Sequence, residues 1–312
     1  MTTMTNDDTG NGGAASGEPP REEPAVRLES FQAEGPLDID ITLDAGRVEV
    51  RLVEEPGAHV ELRHDPSAAS PWLAGVTGLL SLFGGQFGMP AEDIPARVLA
   101  QATVELVGQR LVVRMPKELP LRGVPIAVTV TAPRGSHPQV RSASADVRVT
   151  GPAGRLSVST GTGEVSADRA DDRAEVKSGS GAVRLGPMLG GLHARTGSGE
   201  VEVSSIGGRT TLVTGSGDVW LGTVQADVAV RTGTGDVTVA DAAAGRIELG
   251  TGSGEIRVGV RGGTTAEVDL SSGAGRARSE LDVSQQRPDT EPALFIRGRT
   301  GSGDAVISAA VG

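Results

Sequence analysis

The residues of this sequence best placed to do chemistry are acids that stand behind a recurring glycine word. The words are TGTGEV at 160, TGSGEV at 196, TGSGDV at 214, TGTGDV at 232, TGSGEI at 251 and TGSGDA at 300. Each sets a carboxylate directly after Gly-x-Gly: Glu164, Glu200, Asp218, Asp236, Glu255 and Asp304, with Asp146 in the diverged word SASADV. Carboxylates beside exposed backbone suit calcium, and glycine N–H groups suit phosphate. The spacing favours neither. Calcium rolls repeat G-G-x-G-x-D-x-U-x in every half-lap. Here most alternate half-laps lack the acid, and Ala182 and Arg276 replace it where it is due. No G-x-x-x-x-G-K-[ST] phosphate loop and no G-x-S-x-G nucleophile elbow occurs. The four histidines, His59, His64, His137 and His193, are scattered, and His59 and His64 sit in or beside an alternating strand. No catalytic residue, cofactor site or metal site is assigned.

Composition excludes further classes. The formal net charge is -11, which opposes a nucleic-acid partner whose phosphates it would repel. Without Cys there is neither a disulfide framework nor a thiolate zinc site. Only Trp72 and Trp220 could serve as indole platforms for sugar rings, and Trp220 alone falls on a repeat face. The first 25 residues are rich in Gly, Pro and acid, lack the basic start and apolar core of a secretory signal, and read as a disordered tail. That makes the expected location cytoplasmic.

The elements that must position the acids follow from the period. The Thr or Ser opening each word falls at 142, 160, 178, 196, 214, 232, 251, 272 and 300, so the step is 18 residues before it lengthens. A finer period of nine runs from Val147 through Leu156, Val165, Ala174, Val183, Leu192, Val201, Thr210, Val219, Val228 and Val237. The residues two further on are Val149, Val158, Ala167, Val176, Leu185, Ala194, Val203, Leu212, Leu221, Val230 and Val239. Of both series only Thr210 is polar. A V-x-V pair puts both side chains on one face of a short strand. Two strands and two turns make one lap, and such laps bury their apolar pairs only by stacking into a solenoid. At about 4.8 Å per lap, nine laps give a rod on the order of 40 Å long.

In this reading the glycine word is a corner. Its glycines supply positive φ, the Ser or Thr between them bonds the turn, and the acid faces solvent. The matching position of the other half-lap is often Arg, at Arg155, Arg173, Arg209 and Arg246, so acid and base run along opposite edges.

Residues 26–312 are expected to form one all-β solenoid domain. Residues 26–140 give its less regular first laps, from alternating runs such as LDIDITL at 37–43 and RVEVRLV at 47–53, and the regular 18-residue repeats run from about 142. A helical insertion is expected at about 67–100. Within it, the uncharged stretch 71–90 places Trp72, Leu79, Leu80, Phe83 and Phe87 on one helical stripe, with Met89 beyond. These six form the candidate partner contact, unless the stripe caps the solenoid; the contact would be with a protein or a peripheral membrane surface.

The succession VTAPRGSHPQVRSASADVRVTGPAGRLSVSTGTGEV, followed by TGSGDV-type laps, resembles the putative-adhesin family of domains of unknown function. That family is related to the toast-rack modules of bacterial envelope-stress proteins. The likeness covers residues 26–312 and is strongest from 126. It implies a right-handed β-helix, no catalytic residues, and a link to envelope stress. The expected function is a non-enzymatic scaffold or interaction module. The alternatives are a carbohydrate-binding or carbohydrate-cleaving β-helix and, third, a self-assembling filament.

Overall fold

The computed structural model describes residues 25–68, 93–118, 121, 123–281 and 292–310. The tail of the first 24 residues and the stretch 69–92 lie outside them.

The irregular part contains β1 (Val26–Phe31), β2 (Asp38–Val53), β3 (Ala58–His64), helix α1 (Asp93–Gln101), β4 (Thr103–Val107), β5 (Arg110–Arg114), β6 (Ile126–Pro133) and β7 (His137–Ala153). The regular laps then alternate between two parallel sheets. The first sheet takes β8 (Leu156–Thr160), β10 (Ala174–Ser178), β12 (Leu192–Thr196), β14 (Thr210–Thr214), β16 (Val228–Thr232) and β18 (Gly245–Thr251). The second takes β9 (Val165–Ala170), β11 (Val183–Met188), β13 (Val201–Ile206), β15 (Val219–Val224), β17 (Val237–Ala242) and β19 (Ile256–Val260). Register partners in the first of these laps are 18 residues apart, as in Val201↔Val219 and Val219↔Val237.

Every member of both apolar series is buried. Thr210 is buried with its hydroxyl satisfied, donating to the Gly208 carbonyl at 3.0 Å and accepting from the Leu192 N–H at 3.2 Å. A third buried column was not foreseen. Ala153, Ala170, Met188, Ile206, Val224 and Ala242 also point inward. Along the second strand of each lap the alternation slips, as in the pattern BeBeiB for Val201–Ile206. The strand therefore bends and adds a third side to the lap.

The corner reading holds, but not for the expected reason. None of the repeat-word glycines is among those with positive φ. Glycine is required because a Cβ would strike the lap stacked against it. At Gly199 it would stand 2.0 Å from the Gly181 carbonyl oxygen, and at Gly217 2.0 Å from that of Gly199. The turn is bonded by the Thr or Ser that opens the word, not by the residue between the glycines. Thr214 Oγ1 accepts from the Gly217 N–H at 3.0 Å, and Thr196, Thr232 and Thr251 do the same in their laps.

Chain order and stacking order part at both ends. β2 pairs with β7 on one side and with β5 and β6 on the other, so a later lap lies outside an earlier one. β4 then runs antiparallel to β5, and β3 and β1 antiparallel beyond β6. α1 packs on β3 and β1, burying Val98 and Leu99, and Arg27 donates to the Leu99 and Ala102 carbonyls at its C-terminus. At the other end β22 (Leu294–Thr300) and β23 (Ala305–Ala309) insert between β18/β19 and the lap formed by β20 (Ala266–Ser272) and β21 (Ala277–Ser279). The expected insertion at 67–100 is helical only over Asp93–Gln101 and a single 3-10 turn at Pro66–Ala68, among the described residues.

Candidate interaction surface

Because the inward positions are filled by Val, Leu, Ile, Ala, Met and Thr, any partner must meet the outward ones. On the first sheet these form three columns that run along the rod. Five successive laps, the first half of β7 followed by β8, β10, β12 and β14, present Arg141, Arg155, Arg173, Lys177, Arg195 and Arg209. All six are exposed, and Glu175 is the one carboxylate among the outward positions of these strands. Lys177 pairs with it at 2.6 Å. Arg231 in β16 extends the same column as Lys177 and Arg195.

The cations stand in two columns four residues apart, about 13 Å along a strand, with laps about 4.8 Å apart. The middle column between them holds Ser157, Glu175, His193, Thr211 and Ala229. The second sheet is mixed, with an acidic excess. Over the matching laps it presents Glu164, Asp168, Glu200, Glu202 and Asp218, but also Arg148 and Arg184, the latter paired with Glu164 at 3.4 Å. A chain of net charge -11 therefore carries one basic face.

Asp40 anchors the start of that face. It lies on β2 between β5 and β7, and its side chain is only 4% exposed. Three arginines converge on it: Arg110 at 2.7 Å, Arg114 at 3.2 Å and Arg141 at 3.4 Å. Burial, the largest single influence, would raise the Asp40 pKa. Hydrogen bonds from Arg110 and Arg114, with the charges of Arg114 and Arg141, outweigh it and hold the carboxyl below its ordinary value. One carboxylate thus orders three half-exposed guanidiniums and leaves a local excess of positive charge.

This sets a pH dependence. A depressed carboxyl pKa contributes stability that is fully present above the unfolded-state value of about 3.9 and is lost as pH falls through the folded-state value. Asp40→Asn should lower stability by about 1–3 kcal/mol at neutral pH, since three cations lose their counter-charge. In denaturant unfolding, the gap between wild type and variant should begin to narrow as pH falls below about 3.9 and close once it passes the folded-state value. A gap unchanged with pH would exclude the ion cluster as its source.

The acids of the repeat words mainly serve the fold. The Asp218 carboxylate accepts from the Asp236 N–H of the next lap at 2.8 Å, and Asp236 accepts from the Glu255 N–H at 2.7 Å. Asp146 does the same for Glu164 and Asp304 for Arg276. Among the described residues no group of three or more His, Asp or Glu side chains is placed to hold a metal ion.

Arg155, Arg173, Arg209 and Arg246 line the opposite edge as expected, and all are exposed. What sequence reasoning missed is the second cationic column, Arg141, Lys177, Arg195 and Arg231, which appears only when residues are aligned by register. Trp72, Leu79, Leu80, Phe83, Phe87 and Met89 all lie outside the described residues. Among the described residues no helix is long and apolar enough to cross a membrane.

The family model described as Toastrack DUF4097 matches residues 127–310, more than half of the chain. No curated protein matches it. Among solved structures, the chain is similar to a putative adhesin from Bacteroides fragilis NCTC 9343, with 10% identity, 91% of this chain and 97% of that chain covered, and a TM-score of 0.41. A putative adhesin from Parabacteroides merdae ATCC 43184 gives 9% identity, 91% and 96% coverage and 0.42. A putative lipid binding protein from Parabacteroides distasonis ATCC 8503 gives 12%, 91%, 96% and 0.42.

Proposed function

Because the chain belongs to the Toastrack DUF4097 family, we propose that it is a non-enzymatic interaction module whose basic face docks on an anionic membrane surface. The observation that carries this is the basic first sheet: Arg141, Arg155, Arg173, Lys177, Arg195 and Arg209 stand there with Glu175 as the one carboxylate, whereas on the second sheet Glu164, Asp168, Glu200, Glu202 and Asp218 outnumber Arg148 and Arg184. Two cationic columns about 13 Å apart suit a plane of charge better than a single thread. The face lacks the apolar wedge that inserts into lipid, so attachment is electrostatic and peripheral.

Near an anionic leaflet each Lys or Arg contributes about 1 kcal/mol, and the attraction fades within a Debye length. The acidic second sheet then points away from the membrane, which fixes the orientation of the rod. A cytoplasmic location fits, since the cytoplasmic leaflet is the anionic one. A role as a membrane-apposed scaffold also accords with the envelope-stress link that the family resemblance implied.

The test is co-sedimentation of the full chain with vesicles. Binding is expected to phosphatidylglycerol-containing vesicles but not to pure phosphatidylcholine, with loss at high salt. The triple variant Arg173→Glu, Arg195→Glu, Arg209→Glu should bind at least about tenfold more weakly while keeping its circular dichroism. Equal binding to both vesicle types, or an unaffected triple variant, would overturn the proposal. So would duplex DNA that displaces the protein from vesicles at lower phosphate concentration than the lipid offers.

A further inference from the structure

The second sheet carries an exposed indole beside an open groove. Trp220 points outward from β15 between Val219 and Leu221 and is 38% exposed. Two residues on is Gly222, where an added Cβ would stand 3.2 Å from the indole Cη2. The ring therefore leans over backbone that has no side chain to prop it up. An open groove of about 480 Å³ runs beside it, lined by Ser204, Thr223, Asp241 and Arg261 as well as the indole. That volume is within the range of small-molecule sites.

The fold brings these groups together from three successive laps. Thr223 on β15 and Asp241 on β17 are register partners, and Arg261 follows β19 directly, its N–H bonded to the Ala242 carbonyl at 3.0 Å. Asp241 accepts from Arg261 Nε at 3.0 Å, from a second guanidinium N–H, and from Thr223 Oγ1 at 3.3 Å. Hydrogen bonding from Arg261 holds the Asp241 carboxyl below its ordinary pKa, so it is ionised at neutral pH. Both side chains remain partly open, Asp241 at 26% and Arg261 at 43%.

We propose that this groove binds a neutral pyranoside unit of an oligosaccharide, stacked on Trp220 and hydrogen-bonded to Asp241 and Arg261. A pyranose offers C–H groups on one face, which suit the electron-rich face of an indole. Its neighbouring hydroxyls both donate and accept, and an ordered carboxylate–guanidinium pair supplies the matching acceptor and donors. The pair has no net charge. Around it stand Glu202, the register neighbour of Trp220, and the corner acids Asp218 and Asp236, balanced by Arg184 and Arg257 two laps away on either side in the same column, so the surroundings offer no cationic cluster to select a uronate or phosphate. The groove walls alternate apolar surface, from Trp220, Ala240 and Ala310, with the polar groups of Ser204, Thr223, Asp241 and Arg261, as an amphipathic sugar ring requires.

This site is on a different sheet from the basic columns, so it stands or falls separately from membrane docking. The experiment uses the full chain and three probes: hexasaccharides of β-1,4-glucose, β-1,4-N-acetylglucosamine and α-1,4-glucose. A Trp72→Phe background leaves Trp220 as the one indole to report by fluorescence. At least one probe should shift its emission saturably, with Kd of about 0.1–1 mM. By calorimetry, Trp220→Ala and Asp241→Asn should each weaken that binding about tenfold or more, with vesicle binding unchanged. Trp220→Ala leaves the Asp241–Arg261 pair intact, so its loss of binding cannot be put down to a disturbed fold if melting is unaltered. No emission shift with any probe up to about 10 mM, or equal binding by Trp220→Ala, would overturn the proposal.

Discussion

Val219→Asp should abolish cooperative folding of the central laps. Val219 is buried, stacked between Val201 and Val237, with Leu221 on the same inward face of its strand. A carboxylate there would meet no cation and no water. Several kcal/mol of desolvation, or the cost of protonating it, would fall on a domain whose whole stability is about 5–15 kcal/mol. In a stack of laps the damage is not shared evenly. Laps on either side lose their nearest-neighbour interface, so the rod should open from the site outward. Thr211→Asp is the matched control, because Thr211 faces outward between the buried Thr210 and Leu212. It should change stability by less than about 1 kcal/mol. Far-UV circular dichroism during a thermal melt distinguishes the two. If Val219→Asp melted like the control, the alternation would not define the core.

The period made most of this legible. Apolar pairs at nine-residue spacing have no use except to stack, and the columns they predict are the ones found buried. The third column was equally periodic, since Ala170, Met188, Ile206, Val224 and Ala242 are each 18 residues apart. It was overlooked because a bend in the second strand shifts it out of the two-residue alternation. The order of the end laps had no sequence signal. The 28-residue step from Ser272 to Thr300 shows an excess over one lap that fits a loop such as SQQRPDTEP at 284–292, but not that the later strand takes the inner place. Which lap lies outermost depends on how much apolar surface each can afford to leave uncovered. β20 is the more polar, with Asp269, Ser271 and Ser272, and it is left with Val268 at 36% exposed.

The basic face was half legible for a related reason. Arg155, Arg173, Arg209 and Arg246 share a place in the repeat and were seen as an edge. Lys177, Arg195 and Arg231 share another place, but it is interrupted by Ser159 and Val213. Only the strand register shows that the two columns lie on one face. The Trp220 groove needed still more. The indole stood out in the sequence, whereas Thr223, Asp241 and Arg261 sit on the bent third side that the two-strand lap did not contain.

Gly217→Ala should be almost as damaging as the buried charge, though it adds only one methyl group, at a buried glycine of a corner. The added Cβ would stand 2.0 Å from the Gly199 carbonyl oxygen and 2.7 Å from its carbonyl carbon. Both are backbone atoms of the next lap, so no side chain can swing aside. That lap is itself fixed, since its Gly199 faces Gly181 at the same distance. The strain must therefore separate two laps or break the bond from the Gly217 N–H to Thr214 Oγ1. A cost of about 3 kcal/mol or more is expected, at the upper end for overpacking. Two other glycines isolate the cause. At Gly108 φ is +60° and nothing lies within 4 Å, so alanine there meets only conformational strain, about 1–2 kcal/mol. At Gly262 neither restriction applies, and alanine should be neutral within about 0.5 kcal/mol. Chemical denaturation of the three variants gives the order directly. A Gly217→Ala cost no larger than that of Gly108→Ala would mean that the corner glycines are not held by the lap stacked against them. The repeat word would then need another explanation.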